Sequence, residues 1–324
     1  MKRDELLGRL AMFLVVFTWG FAFAAVKYLL NSGWSQVQVA FVRIVIPGLT
    51  LAPYALFTLR RRWGQPQMQR LPALIVLGFF PFFFSHFLTV WGQKYTTAAV
   101  AGLLAVVSPL LALGLSALLK LERFTPLKGA GALVSVCGVV IVVLYGRGQA
   151  ELSASSLLGP LMIILGVGMV GAYNTLIRAF HDDFSSLEVS ALTAIWPSLV
   201  GLIPALFAWR TAPWISVASE GAAGASLGSS AAASPAAVGA LPALNPLALL
   251  AVVWLGVFAG GLAVFCLGYA VSRLGPATAS SFLYLNPVFS MLSGALLLGE
   301  VLTGWLLLGA ALILSGLFLA NRRA

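Results

Sequence analysis

Ten long apolar runs occupy most of this sequence and limit what the chain can fold into. They lie near residues 8–30, 36–58, 71–91, 97–119, 126–145, 157–179, 187–208, 246–270, 276–298 and 303–320. Each run is close to the roughly 20 apolar residues that a helix needs to cross a bilayer. The runs are continuous rather than alternating, which excludes a transmembrane β-barrel. We therefore predict an all-α integral membrane protein with ten transmembrane helices.

The composition requires an apolar surrounding. Of the 324 residues, 60% are hydrophobic and 9% are charged, whereas soluble domains carry about 25% charged residues. Cys137 and Cys266 lie inside apolar runs, so we interpret them as packing residues rather than as disulfide or metal ligands. No cofactor is expected. The lipid bilayer is the expected surrounding, and no nucleic-acid partner is expected, because the net charge of +10 is explained by basic loops.

The basic residues also predict an orientation. With the N-terminus placed in the cytoplasm, 14 of the 19 lysines and arginines fall in or near the cytoplasmic loops. This bias predicts that both termini are cytoplasmic, in a multi-pass protein of the plasma membrane, and we expect the bacterial inner membrane. Residues 211–245 are rich in Ala, Ser, Gly and Pro and are predicted to form a flexible extracytoplasmic loop.

An internal repeat divides the chain into two related halves. Ser108-Pro109 aligns with Asn286-Pro287 at an offset of 178 (287 − 109 = 178). The same gapless offset pairs Leu77-Gly78 with Leu255-Gly256, Phe87 with Phe265, Ala99 with Ala277, Ala101 with Ala279, Glu122 with Glu300, Thr125 with Thr303, Gly131 with Gly309 and Gly138 with Gly316. Earlier residues align at 151, as in Gly20 with Gly171, Lys27 with Arg178 and Pro53 with Pro204. The difference of 27 (178 − 151) falls on the Ala/Ser/Gly-rich segment, which is therefore an insertion in the second half.

Each half contains five predicted helices, and this odd number makes the second half enter the membrane from the opposite side. We predict one membrane domain over residues 1–324, built from two inverted five-helix repeats at about 8–145 and about 157–320. Inverted repeats are typical of secondary transporters, whose site lies near the bilayer midplane between the halves. The predicted function is transport of a small metabolite by alternating access.

The sequence resembles the EamA family of the drug/metabolite transporter superfamily over nearly its whole length. The resemblance depends on motifs in both halves: Trp19-Gly20, Lys27, Arg43, Tyr95-Thr96-Thr97-Ala98, Ser108-Pro109, Leu121-Glu122-Arg123, Leu274-Gly275-Pro276-Ala277, Asn286-Pro287 and Leu298-Gly299-Glu300. It implies a ten-helix basket around a central polar cavity and export of amino acids or related metabolites. The long loop at residues 211–245 departs from the compact family pattern without touching these motifs.

Two prolines lie in the middle of predicted helices. Pro109 and Pro287 each remove a backbone hydrogen bond, and such broken backbone is tolerated in a bilayer only against protein or a water-filled cavity. They are predicted to be hinges in a cavity wall, although a static packing kink is the alternative. Ser108, Tyr284 and Asn286 flank the prolines and are candidate substrate-binding residues.

Three ionisable side chains lie within predicted spans, where charge is costly and often functional. Lys27 either binds substrate or extends to the membrane interface. Arg43 lies about two turns inside its helix, and His86 is the deepest of the three. His86 either binds substrate, titrates during transport or is a neutral side chain satisfied by its neighbours.

Further candidates are polar groups within the spans that need hydrogen-bond partners, namely Trp19, Tyr173, Asn174 and Tyr269. None of the nine acidic residues lies in mid-span. A cavity with basic but no acidic groups favours a zwitterionic or carboxylate-bearing substrate over a cation. For Glu122 and Glu300, a structural role at turns before Thr125 and Thr303 is favoured, with both threonines as helix N-caps.

Other functions are less well supported. A lipid or polyprenyl-linked flippase and a channel-like facilitator are the main alternatives to a carrier. A membrane enzyme is disfavoured because the spans lack clustered His, Asp, Glu or Cys side chains, and no GxxxxGK[ST] loop is present. Gly131, Gly138, Gly309 and Gly316 are predicted to permit close helix packing, or alternatively to form a dimer contact. A monomer or weak homodimer is expected.

Overall fold

The computed structural model describes residues 3–120, 125–146, 154–180, 182–211 and 245–321, and within these ranges all regular structure is helical. The α-helices are α1 (Arg3–Asn31), α2 (Gln36–Arg62), α3 (Leu71–Gly78), α4 (Ser85–Lys94), α5 (Ala98–Ala105), α6 (Ser108–Leu118), α7 (Pro126–Tyr145), α8 (Ala154–Leu176), α9 (Ser186–Thr211), α10 (Pro246–Val253), α11 (Ala263–Leu274), α12 (Pro276–Phe282), α13 (Asn286–Leu298) and α14 (Gly304–Asn321). Two π-helices, Phe79–Phe84 and Trp254–Leu262, join α3 to α4 and α10 to α11. Short 3₁₀ helices span Pro66–Arg70, Ile177–Phe180 and Leu283–Leu285.

Seven helical stretches in the described part of the chain are long and apolar enough to cross a membrane. Two shorter apolar helices, Leu283–Leu298 and Gly304–Ala320, accompany them. Several predicted runs are therefore helical but interrupted, as in the run predicted at 71–91, which consists of α3, a π-helix and α4. The loop predicted at residues 211–245 lies almost entirely outside the described residues, as does Glu122.

Pro109 and Pro287 each stand near the start of a new helix. α5 ends at Ala105 and α6 begins at Ser108, so that Pro109 occupies the first turn of α6. The 3₁₀ turn Leu283–Leu285 precedes α13, whose first turn contains Pro287. Proline is accepted at these positions because the first turn of a helix has no intrahelical partner for the missing N–H. The prolines thus divide two apolar runs at equivalent places.

The helix boundaries recur along the chain. The starts of α4 and α11 differ by 178 residues (263 − 85), as do those of α5 and α12 (276 − 98), α6 and α13 (286 − 108), and α7 and α14 (304 − 126). The two π-helices end at Phe84 and Leu262, again 178 residues apart. The offset found in the sequence therefore also relates the secondary structure of the two halves.

The predicted threonine caps are confirmed. Thr125 Oγ1 accepts from Lys128 N at the start of α7. Thr303 Oγ1 accepts from Leu306 N at 3.1 Å at the start of α14, and it donates to Gly146 O at 3.0 Å. These bonds satisfy backbone groups that a helix end leaves without partners.

The four repeated glycines lie between α7 and α14. A Cβ atom added at Gly131 would lie 2.4 Å from Ala320 N, and one added at Gly138 would lie 2.8 Å from Gly309 O. An added Cβ atom at Gly309 would lie 2.4 Å from Val142 Cγ2, and one at Gly316 would lie 2.5 Å from Gly131 O. The prediction of close helix packing is confirmed, and the contact lies within one chain.

Candidate functional site

Lys27 and Arg43 both contact α4, the helix that carries His86. Lys27, on α1, donates from Nζ to the carbonyl oxygens of Gln93 at 3.0 Å and Lys94 at 3.3 Å. These are the last carbonyls of α4, and a cation there is stabilised by the helix dipole. Lys27 therefore holds the end of α4 against α1 through its ammonium group.

Arg43 approaches the middle of α4 from α2. Its Nη1 donates to Thr89 Oγ1 at 3.5 Å, and Thr89 Oγ1 donates in turn to Ser85 O at 2.8 Å. Because the hydroxyl proton of Thr89 is donated to a backbone carbonyl of α4, the hydroxyl oxygen is available as an acceptor for the Arg43 guanidinium. This is the one polar contact of Arg43 within the described residues, and it involves no carboxylate. Arg43 as a residue is half-buried, and a guanidinium has five N–H donors, so several of them are available for an anion.

Three polar side chains form a stripe on α4. His86, Thr89 and Gln93 are three and four residues apart, which places them on one helical face. His86 is half-buried, whereas Thr89 and Gln93 are buried. Arg43 contacts the stripe, defined by these three residues, at Thr89, and Lys27 contacts the backbone carbonyl of its last member, Gln93.

Gln93 is an unusual member of this stripe. Its side chain is 0% exposed, and both Oε1 and Nε2 lack a hydrogen-bond partner in the described part of the chain. An amide buried without partners costs about 1–3 kcal/mol for each unsatisfied group. The amide therefore offers a donor and an acceptor one turn of α4 beyond Thr89, the residue that Arg43 contacts.

An aromatic ladder lies on the adjacent face of the same segment. Phe79, Phe83, Phe87 and Trp91 recur every four residues, with successive ring centroids 5.2, 4.8 and 5.2 Å apart. Phe41 of α2 packs edge-on against Phe87. The segment thus places an apolar surface beside a polar stripe, an arrangement that suits an amphipathic small molecule.

The residues that flank the two prolines have a shared property. Ser108 Oγ and Asn286 Oδ1 are buried and have no hydrogen-bond partner among the described residues. They occupy equivalent positions at the starts of α6 and α13. Tyr284 is half-buried in the 3₁₀ turn that precedes Asn286. The predicted hinges therefore carry unsatisfied polar atoms at equivalent positions in the two repeats.

Asn174 lies on the α8 face that meets α6. It is exposed, although it is one turn from Gly171, where an added Cβ would lie 2.8 Å from Ser108 O. The exposed leucines at positions 158, 161 and 165 lie on the opposite side of α8. Exposure on the inward-facing side of the helix indicates that Asn174 faces an opening between the helices.

The other aromatic candidates contact groups of the protein itself. Trp19 Nε1 donates to Ala259 O at 2.9 Å. The hydroxyl groups of Tyr173 and Thr193 are 3.0 Å apart, and the Tyr269 ring lies under the guanidinium of Arg273. These contacts assign packing and helix-linking roles to the three side chains in the described conformation.

Side chains also link the two halves at the helix ends. Glu300 accepts from Ala98 N at 2.6 Å and from Ala99 N at 2.9 Å, so that it caps α5 from the turn before α14. Arg62 donates to Glu188 through Nε at 2.9 Å and Nη2 at 2.8 Å. Arg70 pairs with Asp183, and Arg273 with Asp4 at 3.3 Å.

Sequence reasoning missed Thr89, Gln93 and the contact of Glu300 with α5. The spacing of His86, Thr89 and Gln93 is a detectable signal, because three polar residues on one face of an apolar helix are uncommon. Nothing in the sequence indicates that Glu300 meets Ala98, which is 202 residues away. Among the described residues, no group of three His, Cys, Asp or Glu side chains is arranged to hold a metal ion.

Comparisons with known proteins identify a family and several related transporters. The EamA-like transporter family matches residues 6–144 and 157–322. Similar proteins include a "Probable terminal-alkyne amino-acid exporter" of Streptantibioticus cattleyicolor, which is 27% identical over 97% of this chain and 93% of its own length. The uncharacterized transporter YdfC of Bacillus subtilis is 27% identical over 94% of this chain and 87% of its own. The uncharacterized inner membrane transporter YedA of Escherichia coli is 24% identical over 92% of this chain and 86% of its own.

A solved crystal structure has a similar fold. It covers 98% of this chain and 95% of its own, with a TM-score of 0.59 and 21% sequence identity. The family match extends over both halves, and the relatives that align along most of the chain are named as transporters or exporters. The chain belongs to the EamA-like transporter family.

Proposed function

We propose that this protein exports small zwitterionic or carboxylate-bearing metabolites, with amino acids as the main substrate class. The observation that carries the proposal concerns Arg43, which lies within a span. Among the described residues, its one polar contact is with the neutral hydroxyl group of Thr89. A guanidinium without a carboxylate partner is costly in a membrane and matches the geometry of a substrate carboxylate. The aromatic ladder supplies adjacent apolar surface. The amino-acid exporter of Streptantibioticus cattleyicolor supports the substrate class and the direction.

The proposed architecture is ten spans in two inverted halves. The recurrence of helix starts at an offset of 178 supports two copies of one unit. The close packing of α7 against α14, the last helix of each copy, supports the same division. Both termini are then on the cytoplasmic side, and α5 begins at the outer side of the membrane.

The mechanism that we propose is alternating access. Residues 98–104 of α5 are all buried, whereas Thr278 and Ser281 of the equivalent helix α12 are exposed. Equivalent helices in different environments are expected when inverted repeats exchange conformations during transport. In the proposed orientation, this difference favours a state closed at the outer side and open toward the cytoplasm.

Transport in proteoliposomes tests the role of Arg43. A panel of labelled amino acids is measured first, and Arg43→Gln is then compared with the wild type. We expect a loss of about 10- to 100-fold in uptake, because a neutral amide replaces a charged, forked donor. The control is Arg60→Gln, which changes an exposed arginine at the end of α2. Normal uptake by Arg43→Gln, or transport of quaternary cations alone, would refute the proposed substrate recognition.

The same preparation separates a carrier from the alternatives. A carrier shows saturable counterflow, in which unlabelled amino acid on one side drives labelled amino acid across from the other. A channel-like facilitator shows none, and a flippase moves labelled phospholipid or polyprenyl phosphate instead. Counterflow of an amino acid is the outcome that our proposal requires.

Ion coupling through His86 is a separate hypothesis. His86 is the member of the polar stripe with an ionisable side chain, and its backbone carbonyl accepts from Thr89 Oγ1 at 3.2 Å. If its titration drives transport, His86→Ala should abolish the stimulation of uptake by a pH gradient. Unchanged transport with an unchanged pH profile in this variant would exclude the coupling role.

A further inference from the structure

Gln93 carries two unsatisfied polar atoms in a fully buried position. Its backbone carbonyl accepts from Lys27 Nζ at 3.0 Å, yet its side-chain Oε1 and Nε2 have no partner among the described residues. Since buried polar groups are nearly always paired, an amide left in this state requires an explanation. The position itself is well held, because Lys27 binds the turn of α4 that contains it.

The amide lies beside the proposed carboxylate site. Gln93 is four residues beyond Thr89, a separation of about 6 Å along the helix on the same face. Thr89 accepts from the Arg43 guanidinium at 3.5 Å. An α-amino acid carries its ammonium group on the carbon next to the carboxylate. A carboxylate bound between Arg43 and Thr89 therefore places an ammonium group within reach of the next turn of α4.

We propose that the Gln93 amide is the subsite for the amino group of the substrate and selects α-amino acids over carboxylates that lack this group. Oε1 accepts a hydrogen bond from the ammonium group, whereas the carboxylate is bound by Arg43 and not by the amide. This inference rests on the proposed function, because it requires Arg43 to bind the carboxylate.

A neutral amide suits this position better than an acid would. A carboxylate at position 93 would leave a buried negative charge whenever the site is empty, at a high desolvation cost. The neutral amide limits this cost, and its oxygen still distinguishes a substrate with an ammonium group from one that lacks it. Because Gln93 is 0% exposed, the substrate gains this contact only when the packing around the end of α4 rearranges. Binding of the amino group is thereby linked to the conformational change.

The test compares an amino acid with its des-amino analogue. Leucine and 4-methylpentanoate compete against labelled leucine in counterflow by the wild type and by Gln93→Met, which keeps the length and shape of the side chain. We expect leucine to lose about 10- to 100-fold in potency, as when a charged group loses its buried acceptor. The potency of 4-methylpentanoate should stay unchanged. Gln93→Glu keeps the acceptor and should preserve the preference for leucine.

Ser116→Ala is the matched control. Ser116 Oγ is also buried and unpartnered among the described residues, but it lies on α6, so its removal should leave the potency ratio unchanged. The thermal midpoint of Gln93→Met should be equal to or above that of the wild type, which shows that the variant folds. A ratio unchanged in Gln93→Met, or an equal loss for both compounds, would overturn the subsite while leaving amino-acid transport intact. Wild-type protein without any amino-acid counterflow would overturn the proposed function together with the subsite.

Discussion

Arg43 and Glu188 show two ways in which a charged side chain is accommodated near the membrane. Glu188 is 4% exposed. Its carboxylate accepts hydrogen bonds from Nε and Nη2 of Arg62 and from Ser185 N, the last at 2.9 Å. Arg43 has no acidic partner among the described residues. The first arrangement satisfies the charge within the protein, whereas the second leaves donors available. The contacts of Glu188 indicate a structural role, and we propose a binding role for Arg43.

Removing the charge of Glu188 should destabilise the protein. Glu188→Gln leaves Arg62 without its bidentate partner, and we expect a loss of about 2–3 kcal/mol, as for a charge-assisted pair in a mostly buried place. Thermal unfolding in detergent measures the effect. Glu5→Gln is the control, because the Arg9–Glu5 pair is exposed and should contribute less than about 1 kcal/mol. Equal stability of the two variants would contradict the structural role.

At the scale of elements, the sequence predicted uninterrupted helices at places where the structure contains interrupted ones. The run predicted at 71–91 contains the π-helix Phe79–Phe84, and the run at 246–270 contains the π-helix Trp254–Leu262. Apolar composition does not distinguish α from π geometry, because both helix types satisfy their backbone hydrogen bonds within the segment and suit an apolar surrounding. The extra residue in each π turn changes which side chains face inward, and it precedes the start of the polar stripe on α4.

The packing of α7 against α14 depends on glycine. In Gly131→Ala the new methyl group would meet the backbone of α14, because an added Cβ lies 2.4 Å from Ala320 N. We expect a destabilisation of about 1–3 kcal/mol from this overpacking. Gly114→Ala, on α6, is the control, since nothing lies within 4 Å of its added Cβ. That variant should be neutral or stabilised by up to about 1 kcal/mol through helix propensity. Similar thermal midpoints for the two variants would refute the close contact.

At the scale of the whole molecule, Glu300 joins the two halves through the backbone of α5. Its two carboxylate oxygens accept from Ala98 N and Ala99 N, which are orphan donors at the helix start. The contact holds the turn before α14 against the fully buried segment at residues 98–104. It is therefore a contact that must break if this end of the molecule opens.

Glu300→Ala should favour opening at the Ala98 end. The reporter is Thr96→Cys, at a position that is 2% exposed, in protein whose Cys137 and Cys266 are replaced by alanine. We expect labelling by a water-soluble maleimide to accelerate about 10-fold, because two charge-assisted hydrogen bonds are lost. Glu5→Ala, at the exposed start of α1, should leave the labelling rate unchanged. An unaltered rate in Glu300→Ala would show that this contact does not control access.

The sequence by itself determined the membrane class, the helical segments, the caps at Thr125 and Thr303, and the 178-residue repeat. These features follow from local composition, local hydrogen bonding and identity at a fixed spacing, all of which are read along the chain. Only the tertiary structure placed Lys27 and Arg43 against α4, left the Gln93 amide unpaired and brought Glu300 to α5. These relations join residues that are between 46 and 202 positions apart, and they arise from how apolar helices pack. Apolar faces of similar composition do not specify their partners, so shape complementarity in the folded molecule decides which polar groups meet.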